Sequence, residues 1–194
     1  MNLQSQLSSL RERSWLTILL LVLVLVTRTN YSSAAIDTPD ISLAAFFIAG
    51  LWIPSLLAFV LLFGVAALAD QLSFMAGVSD WCFTPAYIFL VPTYFSLWYA
   101  GHLCRKVDFF QVAGAVKIAV YFVLAVVVAY LISSYSFYFF SGRLTPTTAL
   151  QYTQALGKYF WHPYFSWAAA YMVLALGIAA AARLVSAGAH SPRA

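Results

Sequence analysis

The chain has 194 residues, 63% of them hydrophobic and only 8% charged, against about 25% charged in an ordinary soluble domain. This excludes a soluble globular enzyme, a disordered chain, a coiled coil and a disulfide scaffold. The apolar inventory instead matches six membrane-spanning helices of ~20 residues each. The net charge of +4 comes from cations set singly or in pairs at the ends of apolar runs, the pattern that orients membrane helices. Nucleic acid would need them clustered on one surface.

The first apolar run predicts a helix over residues 15–27, with Arg11 and Arg13 before it and Arg28 after it. Its Leu/Val content is nearly uniform around the helix, so it presents no polar face to a bundle. A basic start, a short apolar core and Ser33-Ala34-Ala35 also fit a secretory signal peptide, and that alternative stays open. The next stretch is interrupted at Trp52-Ile53-Pro54. Proline removes a helix hydrogen bond and pushes its predecessor out of α geometry, so the stretch divides into a short helix, 41–53, and a second, 55–69. Half-length broken helices tend to line a site. Residues 70–84 follow as the most polar and irregular part of the middle chain. Three further spans are predicted at 86–103, 110–133 and 164–186, with a long loop over 134–163 between the last two. Lys117 is expected to face the bundle in the fifth helix, where it needs a partner or must snorkel.

The expectation is therefore an all-α membrane protein, a single transmembrane domain over 1–194 with six spans. Placing both termini inside puts Arg11, Arg13, Arg105, Lys106, Arg183 and Arg193 on the inner side and Arg28, Arg143 and Lys158 on the outer, which favours an N-in, C-in orientation. The sizeable loops, 27–40, 70–84 and 134–163, then all fall on the outer face.

Metalloprotease, serine hydrolase and P-loop ATPase motifs are absent. Cys82 lies in Ser79-Asp80-Trp81-Cys82-Phe83-Thr84-Pro85-Ala86-Tyr87, where an outer loop turns into a helix. A thiolate is a soft metal ligand, although free cysteine is also a common small buried hydrophobe. Cys104 stands at the inner end of its helix and reads as structural. The two thiols fall on opposite sides, so they form no disulfide with each other. Asp70 closes an apolar run, a depth at which carboxylates are costly and often functional; a hydrated interfacial carboxylate is the alternative. Asp37, Asp40 and Asp80 join it on the outer face, and Tyr87 is within reach of the same region. The outer loops are rich in aromatics, either as an interfacial belt or as walls for a large flat ligand. His162, before Pro163, is a candidate ligand-binding residue in that run, and Arg143 a candidate outer-loop cation.

The run Ala69-Asp70-Gln71 followed by Asp80-Trp81-Cys82-Phe83-Thr84-Pro85-Ala86-Tyr87, in a chain with six expected helices and a short second one, resembles the BtuM family. These are small bacterial membrane proteins for cobalamin, similar to the substrate-binding S-components of energy-coupling-factor (ECF) vitamin transporters. The resemblance implies a cobalamin uptake protein of the bacterial cytoplasmic membrane, with the corrinoid bound in an outer-face cavity. It implies that Cys82 ligates the cobalt as thiolate, linked to reductive loss of the upper cyanide, so that the transporter has a catalytic residue. Asp70, Asp80, Trp81, Tyr87, Arg143 and His162 are then the candidate ligand contacts. Cobalamin is the bound substrate and no other cofactor is expected; the partners are cobalamin and the lipid bilayer. S-components that dock on a shared coupling protein carry A-x-x-x-A on the first helix, and this chain has neither alanine nor glycine there. That argues against an ECF ATPase module as a partner. Three other readings compete with this one: a transporter of another vitamin in which Cys82 only packs; an intramembrane thiol oxidoreductase, which would want paired cysteines on one face; and a purely structural membrane subunit, for which outer loops carrying Asp70, Asp80 and Arg143 would be unnecessary.

Overall fold

The computed structural model describes residues 10–30, 39–53, 55–77, 84–143 and 148–189. Among them there is no strand. The helices are α1 (Ser14–Asn30), α2 (Ser42–Trp52), α3 (Leu56–Met75), a 3₁₀ turn (Pro85–Phe89) running into α4 (Leu90–Leu103), α5 (Val112–Phe140), α6 (Ala149–Tyr159) and α7 (Ser166–Ala189). A kinked linker, Phe160–Phe165, joins the last two. Three helical stretches are long and apolar enough to cross a membrane: Leu56–Met75, Val112–Phe140 and the run within Ala149–Ser186. Ser14–Thr29 and Ser42–Trp52 are apolar but shorter; at 1.5 Å per residue α2 reaches only about 17 Å.

From α1 to α5 the chain reverses direction at each connection, and α7 continues from α6 through the kinked linker. The C-terminal ends of α1 and α3 meet the N-terminal ends of α2 and α4 around Arg28, which bonds Asp40, Asp70 and Tyr94. Phe89 stacks on Phe140 at 5.0 Å, which brings the last turn of α5 to the same end. At the opposite end Arg183 of α7 pairs with Asp108 at 3.2 Å and lies over Phe110. These are referred to below as the Arg28 end and the Asp108 end.

Helix α2 is the axis of the molecule. Ala44 to Leu51 are all buried, as expected of a helix apolar on every side. It packs most extensively against α4, while α4 packs on α5 and α1 on α3. Glycine sets the α2–α4 distance. A Cβ on Gly50 would run into the Trp98 carbonyl, and one on Gly101 into the Phe47 carbonyl. Each glycine thus lets its helix touch the other's backbone, a device suited to apolar surroundings, where helix association depends on close van der Waals packing. Aromatic rings fill the rest: Phe46 stacks on Tyr94 at 4.4 Å, and Phe59 leans on both Phe46 and Trp98. The outward faces are apolar as well, with Ile18 on α1, Val60 on α3, Leu124 on α5 and Leu174 on α7 all exposed. A surface so apolar is suited to lipid contact.

Several expected boundaries are corrected. The helix expected to stop at 69 continues to Met75, so Asp70 is intrahelical. The helix expected over 110–133 runs to Phe140, and the expected loop 134–163 holds α6, opened by a capping box in which the Thr148 hydroxyl accepts from the Gln151 backbone N–H and the Gln151 side chain accepts from the Thr148 N–H. Serines and tyrosines made 134–140 look like a loop, yet they continue the helical ladder where α6 covers them. The break at residue 53 holds: Ile53 leaves helical geometry (φ −122°, ψ 76°), as a residue before proline does. Pro54 itself lies outside the described residues. Lys117 is exposed rather than turned into the bundle, with its ammonium 6.0 Å from the Tyr121 ring; the long stem lets the charge leave the apolar interior.

Gly50→Ala is expected to lower the thermal stability of the detergent-solubilised protein by about 1–3 kcal/mol through overpacking against α4. Gly64→Ala, with nothing within 4 Å of the added Cβ, should leave it unchanged or raise it slightly. Equal melting temperatures for the two variants would show that the α2–α4 contact does not limit stability.

Candidate functional site: the Arg28 cluster and its cavity

An arginine at the end of an apolar helix either reaches for water or finds carboxylates, because an unpaired buried charge is prohibitively costly. Arg28 finds carboxylates. Its side chain is 14% exposed and its two edges face two acids. Nε donates to Asp70 Oδ1, and Nη2 donates to Oδ2 at 2.9 Å, a bidentate fork on α3. Nη1 donates to Asp40 Oδ2 at 3.0 Å, to the Ser42 hydroxyl at 3.2 Å and to the Tyr94 hydroxyl at 2.7 Å. The planar guanidinium fits this parallel geometry, which a lysine ammonium cannot reproduce. Four helices are thereby tied at one point.

Each acid has further partners. Asp70, 18% exposed, accepts a 2.8 Å hydrogen bond from the Tyr87 hydroxyl. Asp40, 37% exposed, accepts from the Ser42 backbone N–H at 2.9 Å and from its hydroxyl at 2.6 Å. That holds it at the start of α2, where the helix dipole favours negative charge.

Beside this cluster lies an open cavity of about 500 Å³. Its polar wall holds Asp40, Thr93, Tyr94, Ser133 and His162, and its apolar and aromatic wall includes Leu43, Leu90, Tyr164 and Trp167. The last residues come from the kinked linker and the first turn of α7. The kink sits at His162, whose φ of −130° and ψ of 126° are extended rather than helical, the conformation a following proline imposes. Tyr171 of α7 donates to the Pro39 carbonyl at 2.8 Å and fixes that side of the cavity to the start of α2. Helix α6 is held over the end of α5 by tyrosines: Tyr130 donates to the Leu156 carbonyl and Tyr152 to the Ser134 carbonyl.

Of the residues singled out from sequence, Asp70 and Tyr87 meet directly, and His162 stands in the cavity wall. Arg143 follows α5 and is not among the cavity-lining residues. Cys82, Asp80 and Trp81 lie outside the described residues, as does Asp37. Cys104 is fully buried in the core past the end of α4, and burial pushes its thiol above the ordinary range, the character of an inert packing cysteine. Among the described residues no cluster of His, Cys, Asp and Glu is arranged to hold a metal ion.

Arg28 is the residue that the sequence reading misassigned. Taken there as a loop cation next to a helix without a polar face, it turns inward, and Thr17 and Thr27 on the same helix are buried too. The usable signal was the bracketing of this one arginine by Asp40 and Asp70, each at the same end of a neighbouring apolar run. Tyr94, Thr93 and Ser133 carried no charge or motif to mark them within their helices.

No protein-family model matches the chain, and no curated protein matches it.

Arg28→Gln leaves two carboxylates without their counter-ion and should destabilise the protein by about 3–5 kcal/mol. In the double variant with Asp70→Asn the loss should be smaller than the sum of the single losses, by about 0.5–3 kcal/mol. Additive melting-temperature shifts would mean that the fork contributes no coupling.

Proposed function

We propose that this chain is a cobalamin uptake protein of a bacterial cytoplasmic membrane, with its ligand cavity at the Arg28 end. The observation that carries the reading is the hydrogen bond between Asp70 and Tyr87. These residues belong to the two separate halves of the stretch that resembles the BtuM family. Their pairing brings Asp70 and Tyr87, which flank Cys82 in sequence, together at the Arg28 cluster. Arg28 in turn bonds Asp40 and Tyr94, both of which line the cavity.

Ligand pockets run from ~300 to 1,000 Å³ and are mostly apolar with a few placed polar groups, and this cavity has that make-up. On this reading the corrinoid sits against Trp167, Tyr164 and the polar wall. The thiolate of Cys82 is the proposed ligand to cobalt, from below the ring. With cobalamin as substrate, Cys82 would supply a thiolate sulfur toward the cobalt, and reductive loss of cyanide would draw its electron from a donor outside this chain. The chain's own part is to hold the corrinoid and supply the sulfur.

Orientation follows from charge. Arg11, Arg13, Arg105, Lys106 and Arg183 lie at the Asp108 end, and that excess of cations favours the cytoplasmic side. In this reading α1, α2, α3, the Pro85–Leu103 segment, α5 and α7 make six crossings, and both termini are inside. A thiol oxidoreductase is the weaker reading, because Cys104 is sealed in the core and offers no accessible thiol.

The reading is tested by the visible spectrum of detergent-purified protein incubated with cyanocobalamin and washed, beside the Cys82→Ser variant. A retained chromophore with displaced bands, lost in the variant, is the expected result. A colourless protein would overturn the assignment, and an unchanged spectrum in Cys82→Ser would remove the thiolate from it.

A further inference from the structure

We propose that Asp40 makes the cavity selective for ligands that present an N–H donor or a positive charge, and against ligands that present a carboxylate. This rests on the reading of the cavity as the ligand site. For a corrinoid it means recognition of a neutral amide arm.

The charge count comes first. The cluster holds two carboxylates and one guanidinium, so it has one negative charge in excess. Arg28 directs its Nε/Nη2 edge to Asp70, which does not line the cavity, and gives Asp40 only Nη1. Arg28 itself is not part of the cavity wall. Asp40 is the one Asp, Glu, Lys or Arg among the described residues that line it. The excess charge therefore faces the ligand.

Acceptor capacity comes second. A carboxylate offers about four lone-pair sites. Asp40 Oδ1 takes the Ser42 N–H and hydroxyl, and Oδ2 takes Arg28 Nη1. One site on Oδ2 remains, on a carboxylate more exposed than Asp70. An incoming N–H would complete it with a charge-assisted hydrogen bond. An incoming carboxylate would meet a like charge with no Lys or Arg among the described wall residues to offset it. The neighbouring hydroxyls of Thr93, Tyr94 and Ser133 serve either kind of ligand and do not discriminate.

The test has two arms, both on the full-length protein in detergent at pH 8. In the first, ligand-observed NMR ranks three nearly isosteric probes: benzamidinium, benzamide and benzoate. Wild type is expected to bind benzamidinium about tenfold or more tightly than benzoate, the scale of one hydrogen bond to a charged group. Asp40→Asn, which keeps an oxygen for the Ser42 N–H, should bring the two within about twofold. Leu43→Trp adds bulk to the cavity wall and should weaken all three signals, which keeps the siting of the probes testable should Asp40→Asn fail to fold. Benzoate bound as tightly as benzamidinium by wild type, no binding of any probe to wild type, a preference that survives in Asp40→Asn, or binding unchanged in Leu43→Trp would overturn the proposal. In the second arm cyanocobalamin is compared with its monocarboxylic acids, each made by hydrolysing one amide arm. At least one acid should bind about tenfold more weakly than the parent in wild type and regain affinity in Asp40→Asn. If cyanocobalamin is not retained while the probe ranking holds, the corrinoid reading fails and the role of Asp40 stands. If cyanocobalamin binds but all acids bind equally well, Asp40 is not the selector.

Discussion

A guanidinium embedded at one end of an apolar bundle needs counter-charges of its own, because lipid and packed side chains offer none. Arg28 draws Asp70 from α3 and Asp40 from the start of α2, and adds the hydroxyls of Ser42 and Tyr94. The requirement fixes the relative height of four helices, since the polar atoms of each must arrive at one point. It also accounts for the alternation of direction. Only with α1 and α3 running one way, and α2 and α4 the other, do residues 28, 40, 70 and 94 share an end. A buried ion pair is weak evidence for net stability but strong evidence for register, since any slip exposes an unpaired charge to a low-dielectric interior.

Below that point the structure is held by a different force. At the level of Gly50 and Gly101 the α2 and α4 backbones touch, and Phe46, Phe59 and Trp98 fill the space alongside. This level is densely packed, with Phe46, Phe59 and Trp98 buried. The cavity opens toward the Arg28 end, where the kink at His162 carries the chain away from a continuous helix and the start of α7 is tied to Pro39. The cavity thus lies where close packing gives way to polar contacts, between two regions that are each rigid for separate reasons.

Much of this was legible in the composition. Apolar runs bounded by cations locate the main helices, although α3 and α5 run six and seven residues past their expected ends, and Pro54 marks the break after α2 because the constraint on its predecessor is local. The Thr148-x-x-Gln151 capping box was equally local and available, yet the aromatic and polar mixture around it masked α6. Residues 134–140 were harder. Their helicity depends on α6 folding back to engage Ser134, Tyr135 and Tyr138, a tertiary contact that single-residue tendencies do not encode. Arg28 failed for a related reason. A cation at a helix end has the same sequence signature whether it turns to water or inward, and the difference lies in Asp40 and Asp70, 12 and 42 residues away.

The two acids around one arginine are not equivalent, and their inequality follows from where each is anchored. Asp70 sits within a helix, grips the guanidinium through both oxygens and takes a tyrosine besides, so its capacity is directed inward. Asp40 precedes a helix, is held by the first residue of α2 and shares only one nitrogen of the arginine. A side chain fixed by its own neighbours in sequence keeps its position whether or not the arginine stays fully engaged. An intrahelical carboxylate bound mainly by a distant cation has no such local support. The same cluster therefore divides its work, with Asp70 fixing the helices in register and Asp40 presenting a positioned charge to the cavity.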